Sequence, residues 1–136
     1  MIEKFKHQFS VQLRFSDFDM LSHLNNAVYL TYIETARIQY FYDVLQWDFK
    51  QTSCVVVKAQ LEYLLPILPH YKPIIHSRIS RIGNKSFEME YLLTDDSGTN
   101  IYSKCTSVQV CIDPKSEESI QIPDHLRKKM IAYENH

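Results

Sequence analysis

The sequence predicts an α+β fold, a five-stranded antiparallel sheet curled around one long central helix. Three observations predict it. Residues 27–45 contain neither glycine nor proline and carry apolar side chains around most of a helical circumference. On either side, the apolar residues switch to the period-2 alternation of strands with one buried face. The chain has only 2 glycines, and both fall between strand-like stretches where a hairpin needs them. A largely apolar helix directly after the first strand is most simply buried by wrapping the sheet around it.

Taken in order, Phe9, Val11, Leu13 and Phe15 alternate with Gln8, Ser10, Gln12 and Arg14, which predicts a first strand running to Phe15. The helix from Ala27 to about Leu45 would be roughly 28 Å long. Asn25 or Asn26 caps it, and Glu34 and Arg37 are spaced to pair on whichever face stays wet. Val55, Val57, Ala59, Leu61 and Tyr63 then alternate with Val56, Lys58, Gln60 and Glu62 as a second strand. Pro66, Pro69 and Pro73 mark an irregular connection, because proline has no N–H to give a ladder. Ile74–Ile82 is the third strand. Gly83-Asn84 separates it from Phe87, Met89, Tyr91 and Leu93 in the fourth, and Asp95-Asp96-Ser97-Gly98 separates that from Ile101–Ile112. The last three strands are expected to form an antiparallel meander. Asp113-Pro114 ends the fifth, and Pro123 opens a short helical segment through Tyr133.

Composition narrows the function. The 136 residues fit one domain spanning 1–136, and 45% hydrophobic with 23% charged residues is an ordinary globular balance. A formal net charge of −1 gives no footprint for nucleic acid, although a coenzyme phosphate needs only a few local cations. The opening Met-Ile-Glu-Lys-Phe-Lys-His-Gln has no signal-like apolar run. No stretch reaches the ~18–20 apolar residues of a membrane span. A cytoplasmic protein that binds neither nucleic acid nor membrane is therefore expected. Cys54, Cys105 and Cys111 are odd in number and lack a CxxC spacing, which points to buried free thiols rather than disulfides or structural zinc. His70 and His76, six residues apart around the prolines, do not have a metal-ligand spacing.

Chemistry concentrates in Phe15-Ser16-Asp17-Phe18-Asp19-Met20-Leu21-Ser22-His23-Leu24-Asn25-Asn26-Ala27-Val28-Tyr29. Two carboxylates, an imidazole and two amides precede the helix there. Backbone N–H groups at a helix start lack intrahelical partners, and the dipole favours negative charge, so the place suits an ionised Asp or a developing oxyanion. Read alone, each residue also has a plainer role: Asp19 as a cap or loop-former, Asp17 as a turn residue, His23 and Asn25 as loop fixtures, and Tyr29 and Glu34 as helix-orienting groups.

The chain resembles acyl-CoA thioesterases of the 4-hydroxybenzoyl-CoA thioesterase family, within the hot-dog superfamily. The resemblance runs through Arg14–Asp19, His23–Tyr29 and Glu34-Thr35-Ala36-Arg37. It continues in Leu61-Glu62-Tyr63-Leu64-Leu65-Pro66, Gly83-Asn84-Lys85-Ser86, Val108–Asp113 and Ile122–Leu126. It implies a hot-dog fold, hydrolysis of an acyl-CoA or acyl carrier protein thioester, no cofactor, and a homodimer or homotetramer. Asp19 matches the catalytic carboxylate, and Asn26 matches the position whose backbone N–H polarises the thioester carbonyl. His23 is a third catalytic candidate, bonding Asp19 or substrate. Asn25 and Tyr29 are candidate substrate contacts. Arg81 and Lys85, with Arg78, lie near a hairpin that could approach coenzyme phosphates and are candidate substrate contacts, although ordinary solvated strand ends carry cations too. His-Leu-Asn-Asn points toward the fatty-acyl branch. Pro66-Ile67-Leu68-Pro69-His70-Tyr71-Lys72-Pro73 departs from the family's glycine-containing acidic turn in a region that shapes the acyl pocket. A non-catalytic acyl-CoA-binding module and a hot-dog hydratase or dehydratase are the alternative functions. The characteristic Asp-to-His spacing and Gly-rich surroundings of the dehydratases are absent.

Overall fold

The computed structural model describes residues 2–135. Its strands are β1 (His7–Ser10), β2 (Ser53–Tyr63), β3 (Ile74–Ile82), β4 (Ser86–Thr94) and β5 (Ile101–Ile112). The long helix α1 covers Tyr29–Leu45, and α2 covers Asp124–Glu134. The five strands form one antiparallel sheet in the order β1-β3-β4-β5-β2, so β1 and β2, separated by α1 in sequence, become the two edges. Period-2 side chains on the strands and one stripe of α1 create the core between them. Ile33, Ala36, Tyr40, Phe41 and Leu45 of α1 meet Ile75 and Ile79 of β3 and Phe87, Met89, Tyr91 and Leu93 of β4. Phe41 stacks on Trp47 with ring centroids 4.7 Å apart, and Phe87 meets Phe41 edge-on at 6.0 Å. Fully burying a Leu- or Phe-sized side chain contributes roughly 1.5–3 kcal/mol, so this interface is the main stabilising feature of the fold.

The meander β3-β4-β5 and the terminal helix match their expectation, and two other elements differ from theirs. The first strand stops at Ser10 instead of running to Phe15. Val11 still donates to the Pro73 carbonyl at 3.0 Å, but β3 begins just after this proline, whose nitrogen has no hydrogen to continue the ladder. Beyond it, residues 15–17 close a 3₁₀ turn and Phe15, expected on the buried face, is fully exposed. The second strand ends at Tyr63 as expected but starts two residues earlier, at Ser53, and lacks a buried face. As an edge strand with a register shift between Val56 and Lys58, it leaves Val55, Val56, Val57 and Tyr63 exposed.

Helix α1 is entered through a 3₁₀ turn at Asn26–Val28, with Asn25 as the cap. The sheet covers only one side of the helix, so Leu30 and Tyr42 stay about half exposed. Arg37 does not pair with Glu34; its Nη1 donates to the Tyr91 hydroxyl at 3.3 Å. That hydroxyl also bonds Ser107 Oγ, which donates to Gln109 Oε1, while Gln109 Nε2 reaches the Phe87 carbonyl. The chain of bonds satisfies polar groups in an otherwise apolar interior. Cys105 and Cys111 are buried free thiols, as expected. Cys54, opposite Cys111 across the ladder, is also free, and burial pushes its thiol up to about 12.

Candidate active site

The loop between β1 and α1 is built on Asp17. Its side chain is only 4% exposed and accepts from Arg14 Nε at 3.2 Å and Nη2 at 2.9 Å, and from the Tyr32 hydroxyl. The Arg14 hydrogen bonds hold this carboxyl below the usual carboxylate range, with Tyr32 acting in the same direction against the cost of burial. The Asp17 carbonyl receives the Asn25 N–H at 2.8 Å, and the Leu24 N–H reaches the Ile67 carbonyl at 2.8 Å. Two strands of loop are thereby pinned side by side, with Phe18 and Leu24 forming an isolated antiparallel bridge.

The tip they carry is Asp19–His23. The Asp19 N–H donates to the His23 carbonyl at 2.9 Å, and the Ser22 N–H to the Asp19 carbonyl at 3.0 Å, with Ser22 at φ 61 in the left-handed region. Asp19 Oδ1 accepts from the Leu21 and His23 N–H groups at 2.9 and 3.1 Å. Oδ2 accepts nothing from the described residues. The plainer reading of Asp19 as a loop-former is therefore correct for one oxygen, and the other is open for chemistry. His23 meets Asp19 through its backbone; its imidazole has no hydrogen bond among the described residues.

Asn25 settles the capping question by accepting the Ala27 N–H through Oδ1 at 3.0 Å, while its carbonyl takes the Val28 N–H at 2.9 Å. One early donor of the helix, the Asn26 N–H, is left without an acceptor among the described residues. Asp19, His23, Asn26 and Tyr29 line one open cleft of about 350 Å³, walled opposite by Tyr63, Leu64, Leu65 and Pro66. On residues that line one cavity, a carboxylate oxygen can attack a carbonyl or deprotonate a water, and a helix-start N–H can stabilise an oxyanion.

The structure brings together Asp19, His23, Asn26 and Tyr29, with Asn25 behind them as the cap, and leaves Arg81 and Lys85 apart. Arg81 lines a separate hollow with Gly83, Ser86 and Glu88, and its Nη1 lies 3.9 Å from Glu88 Oε2. Lys85 is exposed on the same β3–β4 turn. The sequence alone gives no role to Tyr32, which supports Asp17, and places Tyr63 in a strand and in the family resemblance without a role at the site. Tyr63 donates to the Asn26 carbonyl at 2.9 Å. Its position before Leu64-Leu65-Pro66, where the alternating pattern gives out, was the available sign that it lies at a strand end beside the loops. Among the described residues, no three of His, Cys, Asp and Glu converge to hold a metal. No helix there is long and apolar enough to cross a membrane.

Comparison with known proteins places these features in a family. Residues 13–130 match the model of the thioesterase-like superfamily. A thioesterase from Thermus thermophilus, solved with coenzyme A and zinc, is 33% identical, covers 98% of each chain and superposes with a TM-score of 0.87. The long-chain acyl-CoA thioesterase FadM of Escherichia coli is 26% identical over 126 residues, 90% of this chain and 96% of FadM. YsmA, an uncharacterised protein of Bacillus subtilis, is 29% identical over 122 residues, 89% of this chain and 82% of YsmA. The sheet order and the single enclosed helix are those of the hot-dog fold, and with a match over residues 13–130 the chain belongs to the thioesterase-like superfamily.

Proposed function

We propose that this protein hydrolyses the thioester of a fatty acyl-CoA, releasing the free acid and the coenzyme thiol. The observation that carries the reading is that Asp19 and Asn26 line one cleft, the first with an unpartnered Oδ2 and the second with an unpartnered N–H among the described residues. The thioester carbonyl oxygen accepts from Asn26, at a helix start whose dipole favours the charge that develops there. Asp19 works by one of two routes. It takes a proton from water as the water adds to the carbonyl, or it adds itself to give a mixed anhydride that water opens. A thiolate leaves readily, so neither route needs a strong acid. The fatty-acyl class is supported by the likeness to FadM, whose name specifies long-chain acyl-CoA, and by the apolar Leu24, Leu64 and Leu65 on the cleft.

The reading includes a homodimer, or a tetramer of two dimers, formed through the exposed edge β2. In a two-fold antiparallel pairing the Ser53 end of one β2 meets the Tyr63 end of the other. That end of the sheet also carries the β3–β4 turn, so Arg81 and Lys85 of a second copy approach the cleft and supply cations for coenzyme phosphates. The test is free-thiol release from a panel of acyl-CoAs of increasing chain length. Release fastest with long chains supports the proposal. Binding without release would favour an acyl-CoA-binding module, and water addition to an unsaturated acyl-CoA without thiol release a hydratase.

A further inference from the structure

Tyr63 ends β2 and faces the start of α1 across the cleft. Its ring meets the buried Tyr29 edge-on, with centroids 4.9 Å apart and planes at 90°, and its hydroxyl donates to the Asn26 carbonyl. That carbonyl and the Ala27 N–H belong to a single peptide unit. The unit is gripped at both ends, the oxygen by Tyr63 and the N–H by Asn25 Oδ1. The preceding peptide unit joins the Asn25 carbonyl to the Asn26 N–H. Its oxygen is taken by the Val28 N–H, which leaves the Asn26 N–H as the one group of the two planes without a protein partner among the described residues. The Asn25 and Val28 bonds lie within the turn. The Tyr63 bond comes from 37 residues away, on the sheet.

We propose that Tyr63 is a positioning residue for thioester hydrolysis, tethering the second peptide plane at Asn26 to the sheet so that the Asn26 N–H stays aimed at the developing oxyanion. The inference rests on the proposed function and adds to it a residue acting through the backbone. A donor to an oxyanion is effective only when it is held in place before the charge appears. Thermal freedom at a single helix-start peptide would dilute that effect. Tyr29 contributes by bracing the Tyr63 ring, so removing the hydroxyl alone cuts the tether and leaves the packing.

The experiment compares wild type with Tyr63→Phe, using the best acyl-CoA substrate of the panel and the full chain. Because the Asn25 and Val28 bonds remain, kcat is expected to fall about tenfold, less than the 10²–10³-fold cost of removing an oxyanion donor outright. KM and melting temperature should be close to wild type. Amide hydrogen exchange, followed by NMR, should be faster at Ala27 and Val28 in the variant. Tyr63→Leu, which also removes the ring, should lose more kcat and some stability. An unchanged kcat in Tyr63→Phe would overturn the proposal. So would a loss matched by a fall in melting temperature, which would indicate general damage. If wild type released no thiol from any acyl-CoA, the proposed function would fall. The exchange rates would then still test the tether, and unchanged rates at Ala27 and Val28 would rule it out.

Discussion

Asp17 and Asp19 are two residues apart, and their carboxylates sit in opposite settings. Asp17 is buried with Arg14 and Tyr32 on its oxygens, whereas Asp19 is exposed and half engaged. Asp19→Asn keeps the Oδ1 acceptor that holds the tip and removes only the charge and basicity. Thioester hydrolysis should fall by roughly 10²–10⁴-fold with the circular dichroism spectrum unchanged. A variant retaining more than about a third of the wild-type rate would rule out Asp19 as base or nucleophile. Asp17→Asn should instead lose about 1–3 kcal/mol of stability, because a buried, charge-assisted set of hydrogen bonds is weakened, with a far smaller loss of rate. Its folded pKa is depressed, so its contribution is full above the ordinary value of 3.8 and is lost as pH falls through the lower folded value. Urea unfolding at neutral pH and near pH 3 should therefore separate wild type from Asp17→Asn more at the higher pH.

At the scale of elements, the start of α1 depends on one side chain. Asn25→Ala removes the acceptor for the Ala27 N–H and should cost about 1 kcal/mol of stability, visible as a lower melting temperature. Rate should fall as well, since the same bond fixes a peptide plane beside Asn26. Elements set by local chemistry were readable from the chain. Gly98 at φ 76 in its turn, the Gly83 N–H on the Ser86 carbonyl and the unbroken α1 segment all follow from neighbouring residues. What could not be read locally depended on distant partners. The end of β1 is set by Pro73, more than 60 positions away, and the exposure of β2 by its place at the edge of the sheet. For the site, the Asp19–Asn26 segment was legible because chain continuity brings it together. Tyr63 was not, because its bond to Asn26 spans 37 residues, and the Glu34–Arg37 pairing was not found because Arg37 is engaged by Tyr91, 54 residues away on β4.

For the whole molecule, the proposed dimer has its support in the exposed apolar groups along β2. Val56 lies opposite Gln109, whose side chain points into the core, so Val56 lies on the core side of β2, yet it is 43% exposed. Light scattering should give a dimer or tetramer at micromolar concentration. Val56→Arg places a charge on that surface and should shift the protein toward monomer. Thiol release should fall with it if Arg81 and Lys85 act across the pair, whereas a fully active monomer would refute a shared site. The early end of β1 has a further consequence. One margin of the sheet is an eleven-residue strand and the other a four-residue one, blunted where Pro73 interrupts it. Strand-by-strand growth needs two usable margins, and this sheet has one. If two copies join through β2 as proposed, the composite sheet would end in a β1 on both sides, so assembly would close at a finite particle instead of running on as a filament.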